Sequence, residues 1–287
     1  MRLPIQLLRR KINAHKGDFG HVLILAGSAR FSGAAVLCAQ ACARSGAGLV
    51  TLGIPESLNS AFLKIKPPEV MTLPLPQTKE ITLSEEAFSI IRGFCEKVDV
   101  LAIGPGLGRN NSTQKLVSKI ITKLDQPRVI DADALNALSG NLKILRGTRY
   151  AVRDTILTPH PGEMARLLGV NTAQIQKNRK KVAKDFVLGY NVILVLKGHQ
   201  TIVAQKDNKL YINKTGNPGM AKAGSGDVLT GIIAAFLAQG LNGFDAAKYA
   251  VYLHGLAGDL AAKEKTQMAM IASDIIGKIP QAIKICS

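Results

Sequence analysis

Short apolar runs recur along the chain, each followed by a longer stretch in which apolar residues return every three or four positions. The runs at 22–25, 49–52, 98–103, 128–131, 155–158 and 192–196 predict strands. The helical spacing between them predicts helices at 33–45, 84–95, 112–124, 162–168 and 172–188. Two further runs, 201–205 and 209–213, flank Asp207-Asn208 and predict a hairpin, after which three helices close the chain. Strand and helix in alternation predict an α/β fold with a mostly parallel sheet. Pro67, Pro68, Pro74 and Pro76 make one stretch read as irregular. No repeat or low-complexity tract divides the sequence, so residues 1–287 are expected to form one domain.

Composition narrows the function classes. A chain of 287 residues that is 47% hydrophobic with 27 glycines suits a compact enzyme rather than a disordered segment. No apolar run reaches the ~18–20 residues that cross a bilayer. Residues 1–17 are basic but hold no long apolar core or small-residue cleavage site, so secretion is not indicated and a cytoplasmic location is expected. Cys38, Cys42, Cys95 and Cys286 complete no metal-ligand pattern and read as small buried hydrophobes. The net charge of +17 suits a nucleic acid or an anionic small molecule. With no Trp, an aromatic content of 5% and basic residues spread along the chain, stacking on nucleic acid is disfavoured. The densest cluster, Lys177, Arg179, Lys180, Lys181 and Lys184, lies on a helix whose Ile175, Val182, Ala183 and Phe186 face inward, and reads as a solvated basic face.

The candidate chemistry begins in the run Thr215-Gly216-Asn217-Pro218-Gly219-Met220-Ala221-Lys222-Ala223-Gly224-Ser225-Gly226-Asp227. It leads into a helical pattern whose Val228, Leu229, Ile232, Ile233, Phe236 and Leu237 predict one buried stripe. Gly224, Ser225 and Gly226 are thereby placed at a helix N-terminus, where unpaired N–H groups and the macrodipole attract an anion such as phosphate. Asp227 then has two readings. Either it complements the dipole, worth about 0.3–1 kcal/mol, or it takes the proton of a hydroxyl that attacks the bound phosphate. The second reading explains the carboxylate and the anion site together, and other segments point to the same chemistry.

Those segments follow strands, where doubly wound sheets bind their ligands. Gly33 and Ala34 lack bulk, which suits a ligand approaching the backbone or tight helix packing. Gly104-Pro105-Gly106-Leu107-Gly108 is an anion nest or a chain turn. Asp131 and Asp133 suit hydrated Mg²⁺, while Asp133 equally suits a helix cap, the reading taken for it. Pro159 and Pro161 hold His160 rigidly, poised to hydrogen-bond a polar ligand, and Glu163 suits a first helical turn. Lys197-Gly198-His199-Gln200-Thr201 has the composition of a phosphate grip without Walker A spacing, which excludes a P-loop enzyme.

In this order, those segments together with 16–22 and 45–50 resemble the ADP/ATP-dependent NAD(P)H-hydrate dehydratases of the ribokinase-like superfamily, across nearly the whole chain. The resemblance implies a three-layer fold and the repair of the 6-hydroxylated S-epimer of NADH or NADPH. ADP, or ATP, would serve as co-substrate with Mg²⁺, and ADP would yield AMP and phosphate. It implies that Asp227 is catalytic and that Ala34, Gly106, His160 and Asp227 contact the damaged dinucleotide. Lys197, Gly198, His199, Gln200 and Thr201 would contact the adenine nucleotide with Gly226, while the N–H groups of Gly224, Ser225 and Gly226 hold the transferring phosphoryl group. No metal ligands are assigned. Related kinases of hydroxyethylthiazole and hydroxymethylpyrimidine, the alternative function, usually carry Asn and Glu three apart where this chain has His160 and Glu163. The resemblance further implies a homotetramer. With only residues 1–16 ahead of the pattern, a separate epimerase is expected as pathway partner.

Overall fold

The computed structural model describes residues 1–145 and 154–287. The strands β1 (His21–Leu25), β2 (Leu49–Pro55), β3 (Met71–Leu75), β4 (Val100–Ile103), β5 (Arg128–Ile130), β6 (Thr155–Leu157), β7 (Ile193–Leu196), β8 (Ile202–Gln205) and β9 (Lys209–Ile212) form one sheet in the order β3-β2-β1-β4-β5-β6-β7-β8-β9. Pairings from β3 to β7 are parallel, and β8 and β9 add an antiparallel hairpin. In the three-residue turn between them, 206–208, Asp207 and Asn208 both take positive φ, 67° and 59°, a conformation Asp and Asn tolerate. Expectation and structure part at β3, which runs through the proline-rich stretch. Pro74 fits because β3 is an edge strand, where a missing N–H breaks no inner ladder.

Alternate residues of each inner strand enter two separate cores. Val22, Ile24, Val100, Ala102, Val129, Ile193 and Val195 face one side, where α1 (Ser32–Arg44), α5 (Ser225–Ala238), α6 (Gly243–Ala269) and α7 (Ala272–Cys286) pack. Leu23, Leu25, Leu101, Ile103, Ile130, Leu194 and Leu196 face the other, beneath α2 (Asn111–Lys123), α3 (Pro161–Leu168) and α4 (Arg179–Gly189). The result is a three-layer α/β fold. The helix expected at 172–188 is two, Thr172–Lys177 and Arg179–Gly189, separated at Asn178, whose φ of −133° is not helical. Helix α6 is likewise interrupted at Thr266.

Helix α5 departs from the single stripe expected of it: every residue from Val228 to Leu237 is buried. It lies between the sheet and three helices, so all its sides are core. The approach is close enough that a Cβ at Gly231 would fall 2.2 Å from the carbonyl oxygen of Cys38 on α1. Cys38 and Cys42 are fully buried there, and burial pushes both thiols well above their usual range. All four cysteines are free and buried, as small apolar residues would be.

The motifs at 16–22 and 45–50 meet at the amino edge of the sheet, where the Gly48 N–H donates to the Phe19 and Gly20 carbonyls, each at 3.1 Å. Arg128 serves the same edge. Its guanidinium donates to the carbonyls of Ile120 at 3.0 Å, Ile121 at 3.1 Å and Gln126 at 3.0 Å, and to that of Leu124, so it satisfies the end of α2 from below. Burial holds it down to about 10. Arg128→Met leaves these acceptors without their donor and should cost about 3 kcal/mol, read from the urea unfolding midpoint. A loss below about 1 kcal/mol would show that water replaces the guanidinium.

Candidate active site

The carboxyl ends of β1, β4, β5, β6 and β7 share the opposite edge of the sheet, and the N-terminus of α5 meets them there. Gly224 caps the helix in the left-handed region, φ 89°, which a side chain disfavours. The Ser225 N–H is turned back to the Lys222 carbonyl at 3.4 Å, whereas those of Gly224, Gly226 and Asp227 have no protein acceptor among the described residues. Three free N–H groups at the positive end of a core helix are the arrangement that suits an anion.

Beside it lies a charge cluster. Lys197, the first residue after β7, places Nζ 2.7 Å from Asp131 Oδ1 and 3.7 Å from Glu163 Oε2. Thr230, one turn into α5, donates to the other Asp131 oxygen at 2.8 Å. Gly226 faces this pair: a Cβ there would lie 3.3 Å from Lys197 Nζ and 3.8 Å from Asp131 Oδ2. Burial alone would lower the Lys197 ammonium, but Asp131 and Glu163 outweigh it and hold it above its ordinary value. Asp227 behaves in the opposite sense. Burial, then the charges of Asp131, Asp133 and Glu163, push its carboxyl up to about 7 against the pull of Lys197. A carboxyl at neutral pKa is suited to taking and returning a proton.

His160 precedes α3 as its N-cap, with Nδ1 accepting from the N–H groups of Gly162 at 3.0 Å and Glu163 at 3.2 Å. Glu163 returns the contact, accepting the His160 N–H at 2.7 Å. The rigid setting therefore serves the helix start as well as any ligand. Nε2 lies 3.4 Å from Glu163 Oε1, and the side chain is 53% exposed. Partial burial holds the ring below its ordinary value. Nε2, beside Glu163 and half exposed, faces the rim where a polar group could reach it.

Ala34 and Gly106 touch: a Cβ at Gly106 would fall 2.5 Å from the Phe31 carbonyl oxygen and 3.1 Å from Ala34 Cβ. Gly104, Gly106 and Gly108 all have positive φ, so the segment turns the chain tightly. Asp133 does not cap a helix. Ala132 occupies the cap position of Asp133–Asn136, and the Asp133 carboxylate accepts the Gly108 N–H at 2.9 Å, pinning the glycine turn instead. The loop 197–201 runs through φ 130° at Gly198 and 54° at Gln200. Arg179 holds it from behind, donating to the carbonyls of Leu196 at 3.0 Å, Lys197 at 3.1 Å and His199. Arg179 is thus no part of a solvated face. It borders a cavity of about 390 Å³ lined also by Lys177, Lys180, Lys181, Gln200, Ile202 and Ile212.

Sequence reasoning had placed Asp131 only as an alternative metal ligand and had given Arg179 to the surface. Neither carries a local signal, because their partners lie in other elements. The structure brings Lys197, Gly226, Asp227, Glu163 and His160 to one edge, with Ala34 in the first turn of α1 and Gly106 on the glycine turn beside it. Among the described residues, no three His, Cys, Asp or Glu side chains gather as a metal site, and no helix is long and apolar enough to span a membrane.

Comparison with known proteins gives this edge its relatives. The chain is 46% identical over 279 residues to a bifunctional NAD(P)H-hydrate repair enzyme of Moorella thermoacetica, covering 97% of this chain and 52% of that protein. It is 36% identical over 285 residues to an ADP-dependent (S)-NAD(P)H-hydrate dehydratase of Neisseria meningitidis serogroup B, covering 99% of this chain and 90% of that one. The chain spans about half the length of the bifunctional relatives it matches. A crystal structure of the ADP/ATP-dependent NAD(P)H-hydrate dehydratase of Bacillus subtilis, co-crystallised with ATP/Mg²⁺, superposes with a TM-score of 0.82 at 32% identity, over 100% of this chain and 95% of that one. The family model described as NAD(P)H-hydrate dehydratase matches residues 22–281. By sequence along nearly its whole length, and by fold, the chain belongs to the NAD(P)H-hydrate dehydratase family.

Proposed function

We propose that residues 1–287 form one domain that dehydrates the S-epimer of NADH or NADPH hydrate at the expense of an adenine nucleotide, ADP or ATP. One observation carries the reading: a carboxyl with a pKa of about 7, Asp227, sits in the first turn of α5 next to free N–H groups and a buried lysine. Hydroxide is a poor leaving group, so the hydrate's hydroxyl must first become a better one. Asp227 takes the hydroxyl proton as the oxygen attacks the terminal phosphorus of the nucleotide. The N–H groups of Gly224, Gly226 and Asp227, with Lys197, hold the phosphoryl oxygens as charge shifts among them. With ADP the departing group is AMP. The phosphorylated carbon then loses phosphate as the ring nitrogen pushes electrons toward it, and loss of the neighbouring proton restores the dihydropyridine.

The remaining residues bind and orient. The loop 197–201, fixed by Arg179, would meet the nucleotide, and Ala34, Gly106 and His160 Nε2 would meet the damaged dinucleotide. Asp131, Asp133 and Glu163 all act on Asp227, and Asp131, Glu163 and Asp227 act on the Lys197 ammonium. That surplus of negative charge would suit a divalent cation carried in on the phosphates, for which Asp131 and Glu163 are the nearest protein carboxylates to the Lys197 ammonium. Such a Mg²⁺ would neutralise phosphate charge. An epimerising activity would supply the S form from its epimer.

Incubation with NADH hydrate, ADP and Mg²⁺ should restore the absorbance of reduced nicotinamide, and omission of ADP should leave it lost. A stable phosphorylated product without recovery would refute the dehydratase and identify a kinase. Asp227→Asn should lower kcat by roughly 10²–10⁴-fold while ADP affinity measured by calorimetry stays within about threefold.

The raised Asp227 pKa sets two further outcomes. In the wild type kcat/KM should fall tenfold per pH unit below about 7, where the base is protonated. The native state holds this proton more tightly than the unfolded chain does. Its contribution to stability is therefore full below pH ~4 and is lost as pH rises toward 7. Asp227→Asn carries no such penalty, so it should stabilise the fold by the order of a few kcal/mol at pH 8 and by less at pH 5, measured by denaturant unfolding. A flat profile, or equal gains at both values, would remove the neutral carboxyl from the account.

A further inference from the structure

Helix α6 acts as the mould on which the glycine-rich run is laid. Residues 254–259, His-Gly-Leu-Ala-Gly-Asp, meet it along its length. Asp259 accepts the Gly216 N–H at 2.9 Å and the Asn217 side-chain amide at 3.0 Å. A Cβ at Gly255 would fall 2.2 Å from Thr215 Oγ1, and one at Gly258 would fall 2.3 Å from the Met220 sulfur. These contacts position the beginning and middle of the run. Its end, where the anion site lies, is met by His254, whose Nε2 stands 3.3 Å from Ser225 Oγ.

Both members of that last pair are buried, His254 at 9% and Ser225 at 8% exposure. Burial drives the imidazole down to about 4, so it is neutral at physiological pH and one ring nitrogen carries a proton while the other does not. Two arrangements satisfy the 3.3 Å contact. If the Ser225 hydroxyl donates to Nε2, its lone pairs face the helix N-terminus and oppose an incoming phosphate. If Nε2–H donates to Oγ, the hydroxyl proton is released from the histidine and is available to an anion at the helix start. An anion at the helix start favours the second arrangement.

We propose that His254 is a positioning residue: its Nε2–H donates to Ser225 Oγ and turns the Ser225 hydroxyl into a side-chain donor to the transferring phosphoryl group. This rests on the phosphoryl-transfer reading for its kinetic consequence but not for the tautomer itself. The N–H of Ser225 is already turned to the Lys222 carbonyl, so the hydroxyl is the donor this residue has left to offer an anion. The arrangement adds a donor to the anion site without adding a charge beside Asp227.

Two measurements test it. Long-range ¹H–¹⁵N correlation on the labelled full chain, with His254 assigned by its absence in His254→Gln, should show a neutral Nε2–H tautomer from pH 5 to 8. An Nδ1–H tautomer would overturn the proposal whatever the enzyme's activity. In the dehydratase assay, His254→Leu and Ser225→Ala should each lower kcat by about 10- to 100-fold with ADP affinity changed less than about threefold. His254→Gln, which retains a donor, should keep kcat within about threefold of wild type. The double variant Ser225→Ala/His254→Leu should be no slower than Ser225→Ala, because the histidine acts only through the hydroxyl. Wild-type kcat in His254→Leu, a glutamine variant as slow as the leucine one, or multiplied losses in the double variant would overturn it. Calorimetric ADP titration counts the folded, binding-competent fraction of each variant. A wild type without nucleotide-dependent activity would refute the dehydratase reading instead, and the tautomer would still decide the placement of the proton.

Discussion

The buried contact between Lys197 and Asp131 governs the electrostatics of the whole edge. The two side chains are 17% and 1% exposed and meet at 2.7 Å. Removing such charges from water costs several kcal/mol each, offset only when the remaining donors and acceptors are also matched. Here the second Asp131 oxygen takes the Thr230 hydroxyl and the ammonium reaches Glu163 as well. The contact therefore ties β5, β7, α3 and α5 together at the place where their ends converge. Burial raises the proton affinity of Asp227, and the pair then adjusts it, Asp131 upward and Lys197 downward. Structure and chemistry depend on the same pair.

Strand β5 shows how sharply the molecule divides its two edges. Arg128 begins the strand and is consumed by backbone carbonyls at the end of α2, while Asp131, just past the strand's last residue, faces the anion site. The motifs follow the same division. The segments 16–22 and 45–50 carry family resemblance but close the amino edge, where their glycines let strands and loops approach. The segments after β4, β6 and β7 and at the start of α5 gather at the carboxyl edge, where the proposed chemistry would take place. A motif recurring within a family is thus as often a constraint on chain packing as a contact with substrate.

What could be read from residues alone follows the range of the interactions involved. The inner strands were legible because burial on both faces leaves continuous apolar runs, and the β8–β9 turn because Asp207-Asn208 tolerates positive φ. The start of α5 was legible from Gly224 to Asp227, a purely local pattern. Strand β3 was not, since its Pro74 is tolerated only by virtue of an edge position that the residues themselves do not announce. The break at Asn178 escaped because the apolar spacing continues on either side of it. Asp133, Arg179 and His254 were misplaced or passed over for one reason: each is defined by a partner in another element, Gly108, the loop after β7, and Ser225. Spacing along the chain holds no record of such pairs.

The state of Asp227 shows which of two opposed effects wins. The first turn of a helix favours a carboxylate by about 0.3–1 kcal/mol, which should lower its pKa. The direction is instead upward, to about 7, because burial and then the neighbouring Asp131 push it that way. A phosphate bound at the same N-terminus would add negative charge and push it further in that direction. Nucleotide binding and proton uptake by Asp227 are then coupled in sign. This also gives the acidic surplus of the edge a purpose within a chain of net charge +17. The overall charge draws polyanionic ligands toward the protein, while the local carboxylates keep the base basic enough to act once they arrive.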